Sequence, residues 1–407
     1  MPAMPALNGV KLSVADATST VAAAATVPAV AAGRRCLKAV SLLLLLAAGL
    51  LPMPAAATPI TPSNDGQVIE RLPPSTRTST SADPAVAAAE ARNLLTASRR
   101  EGDPRFAGRA LARLARWQPA SEAARAPAEV LLVLAEAEQY LHDFDGATRR
   151  LQALTQREPG NAQAWLLLAT LHRVQGRYGP SDQACAVLAS LRVQPYAEAC
   201  AAENAALRGQ FDAARSRLQA LIVRAAEPST RNWLLTSLAE LEQRAGQIAA
   251  SDAAWREAMQ ASPDTYTAVA YADFLLDQQR TQEAWDLLRP AAASEGVLLR
   301  QAIAAKRLGR SEAAALRRDI VARHAQADLR PEDSGHQRER ALVALDLLDQ
   351  PVKALAHARK NLTRQREPID LWLLARCARA AGDTGALAQA RQTAAAQGLQ
   401  DGRLDAL

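Results

Sequence analysis

AWLLLATLHRVQGRYGPSDQACAVLASLRVQP, residues 164–195, carries two apolar stripes at helical spacing, separated by Gly176 and ended by Pro195. Leu168, Leu171 and Val174 lie on one face of a first helix, and Ser181, Cys185 and Leu188 on one face of a second. Recurrence at three and four residues is the period of a helix with one buried face. Glycine closes a helix readily because it takes the left-handed conformation without a Cβ clash. The stretch therefore predicts a helical hairpin. Ala169, seven residues before Gly176, and Ser181, five after it, are small where the two helices cross, and a larger side chain there would push them apart.

The pattern recurs along the chain. Taking the turn as a marker, Gly102, His142, Gly176, Gly209, Gly246, Gln279, Gly309, Asp349 and Gly382 follow one another at 40, 34, 33, 37, 33, 30, 40 and 33 residues. Seven residues before each marker stand Leu95, Ala135, Ala169, Ala202, Ala239, Ala272, Ala302, Leu342 and Ala375; five after it stand Ala107, Ala147, Ser181, Ala214, Ser251, Ala284, Ala314, Ala354 and Leu387. Bulky residues such as Leu151, Leu218, Trp255 and Leu288 come four residues further on, and prolines such as Pro159, Pro228 and Pro368 separate one pair from the next. Trp165, Leu168, Ala169, Gly176, Tyr178, Ser181 and Leu188 resemble the signature of the tetratricopeptide repeat, whose period is about 34 residues. The resemblance covers roughly residues 85 to 398 and weakens in the first and last pairs and around Asp349. It implies an all-α, right-handed solenoid of about nine helix-turn-helix repeats that binds a partner protein or peptide along the first helices.

Composition agrees with such a fold. Only 4% of residues are aromatic, alanine is abundant and β-branched residues are sparse, which argues for close-packed helices and against sheets. The net charge of +6 is partly an effect of the N-terminus: after residue 57 there remain 44 basic and 41 acidic residues, mixed along the chain. No basic block suggests a nucleic-acid partner.

The N-terminus reads as an export signal. Arg34, Arg35 and Lys38 precede an apolar run from Ala39 to Leu51, and Ala55-Ala56-Ala57 supply small residues for cleavage near Ala57. The run is too short to span a bilayer comfortably, so residues 34–57 are expected to be a signal peptide and the product periplasmic or secreted; the alternative is an inner-membrane anchor left by an uncleaved signal. Residues 1–33 are expected to be a disordered extension or to lie upstream of the true start. Residues 58–83, rich in Pro, Ser and Thr, are expected to be a disordered linker, residues 84–400 the solenoid and residues 401–407 a tail.

Chemistry-bearing motifs are few. None of the five histidines pairs with another at a metal-ligand spacing within one helix, and no nucleophile elbow, phosphate loop or H-E-x-x-H motif occurs. No catalytic residue, metal site or cofactor is expected. Cys185 and Cys200 sit at similar heights on antiparallel helices that turn near Val193. They read either as a disulfide in an oxidising compartment or as two small buried residues. In tetratricopeptide arrays first helices line a concave groove. Glu136, Thr170, Glu203, Glu240 and Asp273 stand six residues before successive markers; Tyr196, Trp233 and Tyr266 stand thirteen before three of them. An acidic row beside an aromatic one would suit a partner bearing Lys or Arg. The other reading is a set of solvated helix faces. A structural accessory role in a cell-envelope assembly, polysaccharide export or outer-membrane machinery, is the alternative function.

Overall fold

A computed structural model of the chain describes residues 83–406, apart from 102–103, 120–124, 292–293 and 329–335. The expected signal peptide, the linker up to residue 82 and the Gly102 turn lie outside the described residues. Among the described residues all regular structure is helical. Nine pairs follow in order: α1 Pro84–Glu101 with α2 Pro104–Arg113, α3 Ala128–Tyr140 with α4 Phe144–Arg157, α5 Ala162–Val174 with α6 Tyr178–Ser190, α7 Tyr196–Leu207 with α8 Phe211–Arg224, and α9 Pro228–Arg244 with α10 Ile248–Ala261. Then come α11 Thr265–Asp277 with α12 Thr281–Leu288, α13 Glu295–Arg307 with α14 Ala313–Asp328, α15 Gln337–Leu342 with α16 Pro351–Asn361, and α17 Pro368–Ala381 with α18 Thr384–Gln397. Helix α19, Gly402–Asp405, closes the chain. Except between α14 and α15 and between α18 and α19, each helix packs closely on its successor, so the described residues form an all-α solenoid of nine helical pairs.

The turns follow from the sequence register. All eight described markers have a left-handed backbone, including the non-glycines His142 (φ 62°), Gln279 (φ 60°) and Asp349 (φ 53°). In pair 3 the Gly176 amide donates to the Arg173 carbonyl (2.9 Å) and the Arg177 amide to the His172 carbonyl (2.7 Å), which satisfies carbonyls that a helix end leaves open. The second of these bonds recurs at Asp143, Gln210, Gln247, Arg280, Arg310 and Asp383. At pair 8 the helix widens into a π turn over Val343–Leu347, and the Gln350 amide reaches back to the Ala344 carbonyl (2.8 Å).

The crossing positions are buried as their size demands. Ala169, Ala202, Ala239, Ala272, Ala302 and Ala375 are fully enclosed, and so are Ala147, Ser181, Ala214, Ser251, Ala284 and Ala354. Ser181 and Ser251 keep a hydroxyl in this close crossing by donating to the Ala169 and Ala239 carbonyls, each at 2.9 Å. Two positions differ: Ala314 is exposed and Leu387 half-buried, and in pair 9 the enclosed residues are Ala386 and Ala390. The segment after residue 400, expected as a tail, instead forms α19 with Leu404 buried. Cys185 and Cys200 form a disulfide across α6 and α7, with Cα atoms 5.7 Å apart.

The last pair also meets the middle of the array. The Arg366 amide donates to the Val174 carbonyl (2.8 Å) and the Gln400 amide to the Leu207 carbonyl (2.9 Å). A Cβ on Gly209 would come within 2.8 Å of Gln400 Cγ, and one on Gly176 would overlap the Gln397 amide. These two glycines are favoured by their left-handed φ, and the side chains of Gln397 and Gln400 lie over them. His142 of pair 2 packs edge-on against His336 at the start of pair 8, with ring centroids 6.0 Å apart.

Candidate functional site

The acids of the first helices are bonded to neighbouring pairs. Glu203 pairs with Arg173 of the preceding pair and accepts from Ser237 Oγ of the following one (2.6 Å). Glu240 accepts from Tyr266 Oη (2.7 Å), and Asp273 takes both arms of Arg300 (2.8 and 2.7 Å). Glu136 lies 3.5 Å from Arg99. Every one of these contacts joins adjacent first helices, so the row is a set of rungs between pairs. Thr170 is buried. The aromatic row is likewise internal. Tyr196 and Trp233 stack at 5.6 Å with an interplanar angle of 24°, and Trp233 is only 2% exposed. Tyr266 spends its hydroxyl on Glu240. Tyr196 and Tyr266 stand in the first turn of their helices and each meets a neighbouring first helix, Tyr196 the next pair's Trp233 and Tyr266 the preceding pair's Glu240.

Two of these contacts, Glu240 with Tyr266 and Asp273 with Arg300, line a cavity of about 280 Å³. Its wall is made by α9, α11, α13, α15 and α17, with Trp255 of α10 and Arg403 of α19. The wall is rich in charge. Arg300 is held by Asp273; Arg338 by Asp370 (2.7 and 2.9 Å) and Glu367 (2.6 Å); Arg376 by Asp346 (2.9 Å); Arg403 by Asp401 (2.6 Å). Arg403 also lies over the Trp372 ring at 5.8 Å. Arg244 is different. It is 7% exposed, its Nε is buried without a partner, and among the described residues its guanidinium makes no hydrogen bond or ion pair. Burial lowers its pKa against the pull of Glu240 and Asp401. Two carboxyl groups of the wall, Glu240 and Asp277, are pushed up by burial, whereas Arg338, His336 and Arg300 outweigh burial at Glu339 and hold it at about 2.

Sequence reading missed this constellation because it followed the column six before the marker. The column two before the marker carries Tyr140, Val174 and Leu207 in pairs 2 to 4, then Arg244 and Asp277 in pairs 5 and 6. That switch from apolar to charged residues was the available signal. Asp370 reaches Arg338 from the adjacent pair and Asp401 reaches Arg403 two residues on, but the approach of Asp401 to Arg244 of pair 5 had no sequence signal, since it depends on the winding of the array.

No family model matches the sequence, and none of the curated proteins does. Solved structures do match. A thermophilic tetratricopeptide protein of Thermus thermophilus aligns at 21% identity and a TM-score of 0.37, over 48% of this chain and all of that one. The Pseudomonas aeruginosa protein pilF aligns at 14% identity and 0.36, over 49% and 91% of the two chains. Human IFIT1, solved as a dimer with PPP-AAAA, aligns at 12% identity and 0.45, over 77% of this chain and 72% of that one. The chain is a tetratricopeptide-like solenoid. Its own turn geometry and crossing residues carry that statement. Among the described residues no helix is long and apolar enough to cross a membrane, and no group of three His, Cys, Asp or Glu side chains is arranged to hold a metal ion.

Proposed function

We propose that the protein is an exported, non-catalytic interaction scaffold that holds a partner protein or peptide. The observation that carries the reading is the Cys185–Cys200 disulfide within a stacked array. Disulfides persist in oxidising compartments, and stacked pairs present long surfaces to other chains. Cleavage near Ala57 would then release the mature chain to the periplasm, and Edman sequencing of the exported product is expected to begin at Thr58. A product that keeps residues 34–57 would return the anchored form.

The row of acids on the inner face is bonded within the chain itself. A basic peptide there would have to displace Arg173 from Glu203 and Arg300 from Asp273, and also the last pair. The outer face of the second helices is free of that competition, and we place the partner on it. Photo-crosslinkers at Arg217 or Glu257, both exposed on second helices, are expected to capture a partner from envelope extract; one at Glu136 on the inner side is not. Capture from Glu136 alone would return the groove of Glu136, Glu203, Glu240 and Asp273 as the binding surface. Capture from neither would sink the interaction reading. The second reading, an accessory subunit of an envelope assembly, is favoured by the closed inner face: it predicts a stable multi-component complex in place of reversible capture.

A further inference from the structure

We propose that this cavity binds a small amino-acid-like zwitterion, its carboxylate on the Arg244 guanidinium and its ammonium toward Glu240 and Asp277. The inference goes beyond partner capture and does not rest on it. Arg244 supplies the first half of the argument. It alone of the five wall guanidiniums has no carboxylate within pairing distance among the described residues. A buried unpaired charge costs several kcal/mol, which a bound carboxylate in fork geometry would recover. The Nε1 atom of Trp255, also in the wall, is a buried donor without an acceptor.

Charge balance supplies the second half. Glu240 and Asp277 have no guanidinium bonded to them, and burial raises both pKa values. A positive group between them would restore their ionised form. A phosphate or other polyanion would meet those carboxylates with nothing but Arg244 to hold it, and a simple amine would leave Arg244 unpaired. A zwitterion answers both. The volume, about 280 Å³, lies just below the range of drug-sized ligand sites, about 300 to 1,000 Å³, and suits a small ligand. Val269, Phe274, Ile369 and Leu373 offer an apolar wall for a hydrophobic side chain.

The test uses the full-length protein and titration calorimetry with the individual L-amino acids, alongside N-acetyl and methyl-ester forms of any that bind. At least one apolar L-amino acid is expected to bind and to raise Tm. Its N-acetyl and ester forms should bind at least about tenfold more weakly, since each removes one charge. Arg244→Met should abolish binding. Because that variant alters a buried position, Asp277→Asn is measured beside it; it should weaken the preference for the free amine, which Glu240 still holds in part, and leave the ester discrimination intact. The proposal fails if no L-amino acid binds with a Kd below about 10 mM. It fails equally if the blocked forms bind as well as the zwitterion, or if a folded Arg244→Met protein binds unchanged.

Discussion

Pair 3 turns on Gly176, crosses through Ala169 and Ser181, and satisfies its turn carbonyls with its own next two amides. Pair 8 turns on Asp349, crosses through Leu342 and Ala354, and carries a π turn over Val343–Leu347. Its loosened carbonyls need help from outside: Lys306 Nζ, from pair 7, donates to the Asp346 carbonyl (3.1 Å), the Leu347 carbonyl (3.3 Å) and the Asp349 carboxylate (2.8 Å). Arg307 and Arg376 reach the Asp346 carboxylate from either side. Pair 3 closes its turn mostly with its own amides, taking one bond from outside at the Val174 carbonyl, whereas pair 8 takes several from its neighbours. Local specification leaves a readable pattern; borrowed specification does not.

The largest way to break this contrast is at the network behind pair 8. Asp370 is fully enclosed and accepts from Arg338, Asn361 and the Glu367 amide. Asp370→Ala leaves the buried Arg338 only Glu367 and is expected to cost about 3–5 kcal/mol, the usual cost of breaking a buried pair. Urea denaturation would check this; a loss below about 1 kcal/mol would mean that the network is no stronger than a surface one.

Next in size is an acid effect at the contact between His142 and His336. Burial first, then the His336 charge, lowers the His142 pKa from 6.5 to about 4. The unfolded chain therefore takes up a proton before the folded one does. The resulting stability is complete above pH 6.5 and is lost as the pH falls toward 4; it amounts to about 3 kcal/mol at most, at 1.36 kcal/mol per unit. His142→Asn, which tolerates a left-handed backbone, should flatten that part of the pH–stability curve. Hydrogen exchange at pH 4.5 should open pair 8 before pair 3, and equal opening would contradict the assignment to this contact.

Overpacking comes third. Ala239→Leu in the regular region should cost about 1–3 kcal/mol, because a fully closed crossing has no room for three more carbons. Leu342→Met at the corresponding place in pair 8 should cost under about 1.5 kcal/mol, since that crossing already holds a long side chain. Thermal unfolding of the two variants side by side would test whether pair 8 is the more tolerant.

The smallest effect is at the turns. Gly246 has open space where a Cβ would go, so Gly246→Ala isolates the backbone strain of φ 74° and should cost about 1 kcal/mol. Asp349→Gly removes similar strain but also the carboxylate that holds Lys306, and the two should nearly cancel. A gain of a full kcal/mol from Asp349→Gly would show that Lys306 contributes little to pair 8.

The same contrast explains what was legible in the sequence. The turn register was readable because each marker needs a left-handed residue in its own hairpin, and the crossing alanines because they meet within one pair. The disulfide was readable as one of two options, since Cys185 and Cys200 lie on consecutive helices. The occupants of the inner face were not. Whether Glu203 faces a partner or Arg173, and whether Trp233 is a platform or core, depends on how tightly successive pairs wind. No single pair encodes that angle. Arg244 beside Asp401 is the extreme case, because their meeting requires five pairs to be in place first.

The hydrogen bonds from Arg366 to Val174 and from Gln400 to Leu207 have a consequence for how such a chain can change over generations. Open arrays lengthen or shorten by duplicating or deleting a unit, because each unit answers only to its neighbours. Here a unit gained or lost between pairs 4 and 9 would carry residues 366 and 400 past their carbonyls and bring Gln397 and Gln400 against turns other than Gly176 and Gly209. A change of copy number would therefore cost these contacts, whereas substitutions and loop-length changes at the outer rim would leave them in place.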